Sequence, residues 1–413
     1  MLSKLKALGP GLLYAGAAIG VSHIVQSTKA GAQYGWILIL GILLAHIFKY
    51  PFFELGPRYT AIKGENLLQG YARLGKWALA LVILLTISTM FTIQAAVTVV
   101  TAGLANKILN ISIAPWQMSA LLLVICFGIL AINKFSLLDN LMKVIMIILA
   151  ITTIVAFIAS FYADIDKSSD FMTVFDPANS THILFLIAFL GWMPAPLDIS
   201  IWHSLWSEES NRSKGTKATL GQTLFDFKVG FWGTAALAVC FLMLGANVIY
   251  GTGQELSDKG AVYAGQLIDM YSTSLGTWAY WIIAIAAFTT MFSTTLTCLD
   301  AVPRVLTEAI RVWNPNAISS EKQSNTLRYG NMAIIAVGSV YLLARHIGSM
   351  KQMVNIATVI SFLTAPVIAI LGMMLVHKHT DASFWSAPKR LIAWIGIVLL
   401  IGLIAYYVYL MMT

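Results

Sequence analysis

The sequence predicts an all-α integral membrane fold, and three observations carry that prediction. Of the 413 residues, 58% are hydrophobic and only 11% are charged, whereas a water-soluble domain carries about 25% charged residues. Apolar runs of about 20 residues, long enough to cross a bilayer as helices, recur from end to end. No run alternates polar and apolar residues in the way a membrane β-barrel requires.

About eleven spanning segments follow in order, near 9–29, 36–57, 77–105, 116–133, 138–162, 181–206, 229–250, 277–310, 328–345, 353–377 and 390–412. The first and the sixth are broken. A single transmembrane domain over 1–413 is expected, because the longest connections, 207–227 and 251–276, are too short to form another. The first apolar run leads into a polar connection rather than a small-residue cleavage site, so no cleavable signal peptide is expected.

Charge placement orients the chain. With the N-terminus in the cytoplasm, Lys4, Lys6, Arg58, Lys63, Arg73, Lys76, Lys134, Arg212, Lys214, Lys217, Arg311, Lys322, Arg328, Lys389 and Arg390 all fall on the inner side. The connection at 163–180 then lies outside and sets Asp164, Asp166, Asp170 and Asp176 against Lys167. The excess of basic residues in cytoplasmic loops therefore favours N-terminus in and C-terminus out, in a cytoplasmic (inner) membrane. These loops account for the net charge of +8 without a nucleic-acid partner. Cys126, Cys240 and Cys298 each stand alone in an apolar segment and read as small packing side chains, with neither disulfide nor metal-ligand spacing. No nucleophile–base pair or nucleotide-binding loop is visible, so neither an enzyme nor an ATP-driven pump is expected, and no cofactor.

The breaks are the informative elements. The first lies in "AAIGVSHIVQSTKAGAQYGW", Ala17 to Trp36, with Gly20, Val21, Ser22 and His23 at about mid-depth. The sixth segment carries "AFLGWMPAPLDISIWHS", Ala188 to Ser204. Pro194 and Pro196 lack an N–H, and each disfavours helix in the residue before it. Gly191 adds conformational freedom. Unwound backbone at membrane depth is tolerated only where protein or a cavity satisfies it. One kink is ordinary, but interruptions opening each half of a ten-segment core point to the midplane substrate site of an inverted-repeat transporter. Two five-helix repeats, about 9–162 and 181–377, with an extra helix near 390–412, follow from that reading. Residues near 19–23 and 191–197 are expected to be non-helical and to face each other.

The candidate substrate-binding residues are Gly20, Val21, Ser22, His23, Gly191, Trp192, Met193 and Asp198. A charge at the bilayer centre costs roughly 2.5–3.5 kcal/mol on insertion scales, so each one needs a reason. Asp198 reads either as a carboxylate on the permeation path or as a partner for a nearby Ser, His or Arg. His23 reads as a ligand, a proton carrier or a hydrogen-bonded core histidine, while His203 reads as structural. Glu54 and Arg58 read as an i,i+4 ion pair. Asp300 and Arg304 share that spacing and read as a structural pair or a coupling site. Lys49 is deeper and has no evident role.

Four stretches carry a family resemblance: "GPGLLYAGAAIGVSHIVQSTKAGAQYGW", "GPRYTAIKGENLLQGYARLG", "GWMPAP" and "STTLTCLDAVPRVLTEAI". Together they resemble the Nramp family of divalent-metal transporters over nearly the whole chain. The resemblance implies a LeuT-like fold of two inverted five-helix repeats plus an eleventh transmembrane helix. It also implies alternating access, a divalent metal cation as substrate and, usually, proton coupling. The family's first-helix Asp-Pro-Gly-Asn falls on Gly20, Val21, Ser22 and His23, so the metal-binding aspartate and asparagine are absent. Met193 matches the family's methionine ligand, but Ala195 stands at its histidine. The acidic proton-path positions fall at Gln94 and Val97, and the tenth-helix glutamine near Leu363 or Thr364. Lys143 falls near a place where related carriers bind sodium, although snorkelling to the interface explains it as well.

These departures bear on the substrate. Hard dications favour anionic oxygen ligands, and without one they keep most of their desolvation penalty. His23 and Met193 are a possible ligand pair for a softer metal. Trp192 and the break suit a small organic solute equally, an amino acid or organic cation. A membrane binding or sensing protein that does not transport is a third reading. The coupling candidates are His23, Asp198, Gln94, Lys143 and Asp300. The expected partners are a solute or cation substrate and membrane lipid, with a monomer expected and an oligomer left open.

Overall fold

The structure, a computed structural model, describes residues 8–132, 135–346 and 349–412. Each of the eleven expected spans has its helix there. The first span is α1 (Pro10–Ala18), a π-helical turn (Val21–Ser27) and α2 (Thr28–Tyr34). It is followed by α3 (Ile39–Lys63), the short α4 (Leu67–Leu74), α5 (Lys76–Leu109), α6 (Pro115–Ala131) and α7 (Phe135–Ala159). The sixth span is α8 (Ser180–Gly191) and α9 (Ile199–Lys214). Then come α10 (Leu220–Val248), α11 (Gly260–Leu275), α12 (Tyr280–Trp313), α13 (Glu321–Arg345), α14 (Met350–His379) and α15 (Ala387–Met412).

Two connections differ from expectation. The stretch 251–276, read from sequence as a loop, contains α11, whose Tyr263, Ala264, Leu267 and Ile268 are buried in the bundle. Those residues lie on one helical face, and the run is simply too short to register as a span. The connection after α3 likewise folds into α4, whose N-terminus carries a reciprocal cap between Asn66 and Gln69.

Helices α5 and α12, 34 residues each, run roughly 50 Å at the α-helical rise and pack against each other through the middle of the molecule. Most of α12 is buried, while α13 and α15 turn Val337, Leu391 and Val398 outward as lipid-facing helices do. On the opposite flank α10 packs on α1 and α2 at backbone distance. A Cβ on Gly11 would lie 2.2 Å from the Asp226 carbonyl oxygen, and one on Gly230 2.1 Å from that of Gly11. Small residues permit this approach, as they do in membrane helix pairs generally. The Asp226 carboxylate closes the joint by accepting from the Gly9 and Gly11 amides at 3.0 and 2.7 Å. An anion at a helix N-terminus is favoured by the dipole and the free amides there.

Charged groups gather at the two ends of the bundle. At the α4 end, Glu54 pairs with Arg58 at 2.6 Å and also with Lys389. Arg304 pairs with Asp300 at 2.7 Å, and Arg311 with Glu308 at 2.8 Å. At the α11 end, Asp258 lies 3.8 Å from Lys29 and 3.3 Å from Lys351.

Candidate functional site

The first break is narrower than the sequence suggests. Helix α1 stops at Ala18, and Ile19 and Gly20 are non-helical. The chain then winds as a π-turn over Val21–Ser27, restarted by the Ile24 amide donating to the Gly20 carbonyl at 2.9 Å. Buried backbone groups must find partners, so winding resumes as soon as the geometry allows. On α12, the Thr294 hydroxyl lies 3.0 Å from the Gly16 carbonyl and 3.3 Å from that of Ile19. Its one proton can serve either of these acceptors at the end of α1, with the Thr290 carbonyl of its own helix, 3.2 Å away, as a competitor. A Cβ on Gly20 would fall 2.7 Å from Thr294 Oγ1, so this position holds a glycine because the two helices touch there.

The second break runs from Trp192 to Asp198 between α8 and α9. Gly191 still closes α8, with its Cα facing the Thr358 carbonyl so tightly that a Cβ would fall 2.3 Å from that oxygen. Lys49 enters from α3, buried, and its ammonium donates to the Leu190 carbonyl at 2.5 Å and the Met193 carbonyl at 3.0 Å. Trp192 is fixed by its indole N–H, which donates to Ser361 Oγ of α14 at 2.8 Å.

The two breaks face each other across a small cavity of about 20 Å³. The first break contributes Ala17, Ala18, Val21 and Ser22, and the second Trp192, Pro196, Ile199 and Trp202. Ile93 and Val97 of α5 and Thr294 and Cys298 of α12, all near the middle of those long helices, complete the wall. The space holds about one water. Its surface is apolar and aromatic, with two hydroxyls, a thiol and no carboxylate.

Of the residues singled out from sequence, Val21, Ser22 and Trp192 line this cavity, and Gly20 abuts its Thr294 wall. His23 turns away, towards α10. Its Nε2 sits 3.0 Å from the Thr234 carbonyl and must donate there, while its Nδ1 lies 2.7 Å from the Ser22 hydroxyl, whose single proton has both that nitrogen and the Ala18 carbonyl, also 2.7 Å away, as acceptors. Met193 is buried among Tyr34, Ile42, Phe189 and Leu242. Asp198 precedes α9 and accepts from Thr89 Oγ1 at 3.4 Å. Gln94 donates to Thr98 Oγ1 and the Thr295 carbonyl, at 3.1 and 3.2 Å. Asp300 is held by Arg304 and by the Trp206 indole at 3.4 Å. Lys143 lies in α7, but its side chain is outside those described. Among the described residues, no three His, Cys, Asp or Glu side chains gather in a way that could hold a metal ion.

Sequence reasoning did not single out Ile93, Trp202, Thr294 and Cys298. Thr294 and Cys298 carried a legible signal, since they stand i,i+4 in the Ser/Thr-rich run opening at Ser293. Lys49 carried the signal of any buried charge, but its partners are backbone atoms that sequence cannot locate.

Comparison with known proteins gives the frame. A family model described as natural resistance-associated macrophage protein-like (Nramp) matches residues 11–413. A Pasteurella multocida (strain Pm70) protein described as "Uncharacterized protein PM0681" is 38% identical over 381 residues, 91% of this chain and 86% of its own length. Among solved structures, a mutant of the Eremococcus coleocola manganese transporter superposes with a TM-score of 0.68 at 14% identity, covering 96% of this chain and 84% of that one. MhsT in complex with L-phenylalanine gives 0.60 at 16% identity over 96% and 98% of the two chains. The nucleobase-cation-symport transporter Mhp1 gives 0.59 at 12% identity over 97% and 92%. At such identities the likeness is one of fold, and that fold is LeuT-like. Among the described residues, seven helices are long and apolar enough to cross a membrane.

Proposed function

The chain belongs to the Nramp family of membrane transporters, and from that premise we propose that it is an alternating-access carrier of a small organic solute rather than of manganese or iron. One observation carries this reading. The cavity where the two breaks meet is walled by Trp192, Trp202, Ile93, Val97 and Ile199 and holds no anionic oxygen. A hard dication gains too little there to offset its lost hydration. An apolar and aromatic wall with a few hydroxyls is the usual small-molecule arrangement. MhsT, whose fold this chain shares, was solved with L-phenylalanine.

The proposed repeats are about 9–162 and 181–377, with α15 outside them. The proposed setting is a cytoplasmic membrane, with the N-terminus and the α4 end inside, which puts the basic loops on the cytoplasmic face. Coupling to protons is expected to be weak, because Gln94 and Val97 stand at the family's acidic positions.

A second reading, transport of a divalent metal, is favoured by the likeness to the manganese transporter. Purified protein in liposomes separates the two. Uptake of labelled amino acids or amines without Mn²⁺ uptake supports the first reading, and Mn²⁺ uptake that amino acids and amines do not inhibit overturns it.

A further inference from the structure

A helix that stops inside the membrane leaves its last carbonyls without intrahelical partners, and the dipole concentrates partial negative charge at that end. Around the end of α8 the acceptors are the carbonyls of Leu190 and Gly191 and, in the break beyond it, that of Met193; the Leu190 carbonyl also accepts from the Met193 amide at 3.3 Å. The Lys49 ammonium reaches all three, at 2.5, 3.5 and 3.0 Å. Lys49 is 3% exposed, and no carboxylate among the described residues pairs with it. An ammonium has three N–H donors, and here three main-chain oxygens lie within 3.5 Å of it, the Gly191 carbonyl the most distant.

The arrangement has the chemistry of an alkali-ion site: converging neutral carbonyls at a helix C-terminus, closed off from water. Its occupant is covalently tethered. The first break is served differently, by the neutral hydroxyl of Thr294 at the Gly16 and Ile19 carbonyls. Only the sixth-span break therefore carries a built-in positive charge.

We propose that the Leu190, Gly191 and Met193 carbonyls form a monovalent-cation site whose permanent occupant is the Lys49 ammonium. The tethered charge holds the break together without a free inorganic ion, and its repulsion keeps dications away from the Met193 side of the break. The proposal deepens the solute-carrier reading and rests on it in one respect, that this break borders the substrate path.

The test uses the full chain in nanodiscs. Its thermal unfolding midpoint is followed while choline chloride is replaced by methylammonium chloride or sodium chloride at constant ionic strength. The wild type is expected to be insensitive to sodium and to gain far less from methylammonium than Lys49→Ala does. Lys49→Ala is expected to unfold at a lower temperature in choline and to recover saturably with methylammonium, since a ligand that binds only the folded state raises apparent stability by mass action. Lys49→Met fills the same volume without charge and is expected to stay low, with no recovery.

Three results each overturn the proposal: Lys49→Met as stable as the wild type, Lys49→Ala indifferent to methylammonium, or a wild type that itself titrates with sodium. If Lys49→Ala cannot be purified, the Met variant and the wild-type titration still decide. Solute uptake by liposomes is read separately. Uptake with failed rescue removes only the ammonium site, and rescue without uptake of any solute removes only the carrier reading.

Discussion

Gly20 and Thr294 meet where α1 stops: a side-chain carbon on the glycine would lie 2.7 Å from the threonine hydroxyl, which itself sits 3.0 Å from the Gly16 carbonyl. The contact joins the first break to α12 and sets one wall of the cavity. Gly20→Ala is expected to push the two apart, at a cost of about 1–3 kcal/mol for overpacking a tight site. Thr294→Ser removes the Cγ2 that lies 2.8 Å from the same point and should relieve part of that loss. A double-mutant cycle on unfolding midpoints measures the coupling. Strict additivity of the two changes would show that the contact is not made.

Thr294→Val keeps the shape and removes the donor. The Gly16 and Ile19 carbonyls then lose their hydroxyl partner, and buried polar atoms left unsatisfied cost about 1–3 kcal/mol. The expected outcome is a lower unfolding midpoint together with slower solute uptake. Unchanged uptake would mean that the cap is structural only.

Cys298 lines the cavity, while Cys126 and Cys240 are buried elsewhere and do not. In a Cys126→Ser, Cys240→Ser background, a small thiol-reactive cation is expected to label Cys298 only when the carrier opens. A transported solute should protect it. Labelling whose rate is independent of every transported solute would place the substrate path away from α12.

Manganese affinity by calorimetry is expected to be weak or undetectable in the wild type. Restoring the family's carboxylate by Gly20→Asp is expected to fail alone, because Thr294 occupies the space the side chain would enter. Combining it with Thr294→Ala gives the carboxylate room, and Mn²⁺ binding should rise most in that pair. Micromolar Mn²⁺ binding by the wild type that is lost in Met193→Ala would make the softer ligand set the true site.

Imposing a pH gradient on liposomes is expected to change solute uptake little. Both ring nitrogens of His23 are engaged inside the protein, and Gln94 cannot titrate. Of the other candidates, Asp300 is paired with Arg304 and the Lys143 side chain lies outside those described, whereas Asp198 faces a hydroxyl, that of Thr89. Strong proton-driven uptake abolished by Asp198→Asn would make that carboxylate the carrier group, while uptake that survives the substitution would place the group elsewhere.

Much of the architecture was legible because its causes are local. Apolar length decides that a segment spans, and two missing N–H groups so close together, at Pro194 and Pro196, favour a stop there, whereas the single prolines Pro51, Pro57, Pro303 and Pro366 are carried inside helices. Helix α11 escaped notice because its apolar face is shorter than a span and becomes meaningful only against the bundle that buries it. Within the site, Val21, Ser22 and Trp192 could be placed at the cavity from their position beside a break. His23 could not, since adjacent residues on a π-turn point in different directions, and only the location of α10 shows that its ring meets the Thr234 carbonyl.

By itself, then, the sequence determined the solvent, the number of spans, the two interruptions and the loss of the family's carboxylate at Gly20. The tertiary structure alone decided which side chains share the cavity, that Thr294 closes the end of α1, and that Lys49 answers the carbonyls at the end of α8. Helix and break are properties of consecutive residues, written in the order of the chain. The partners of an orphaned carbonyl lie more than a hundred residues away, and they are chosen by packing, which only the folded backbone brings into contact.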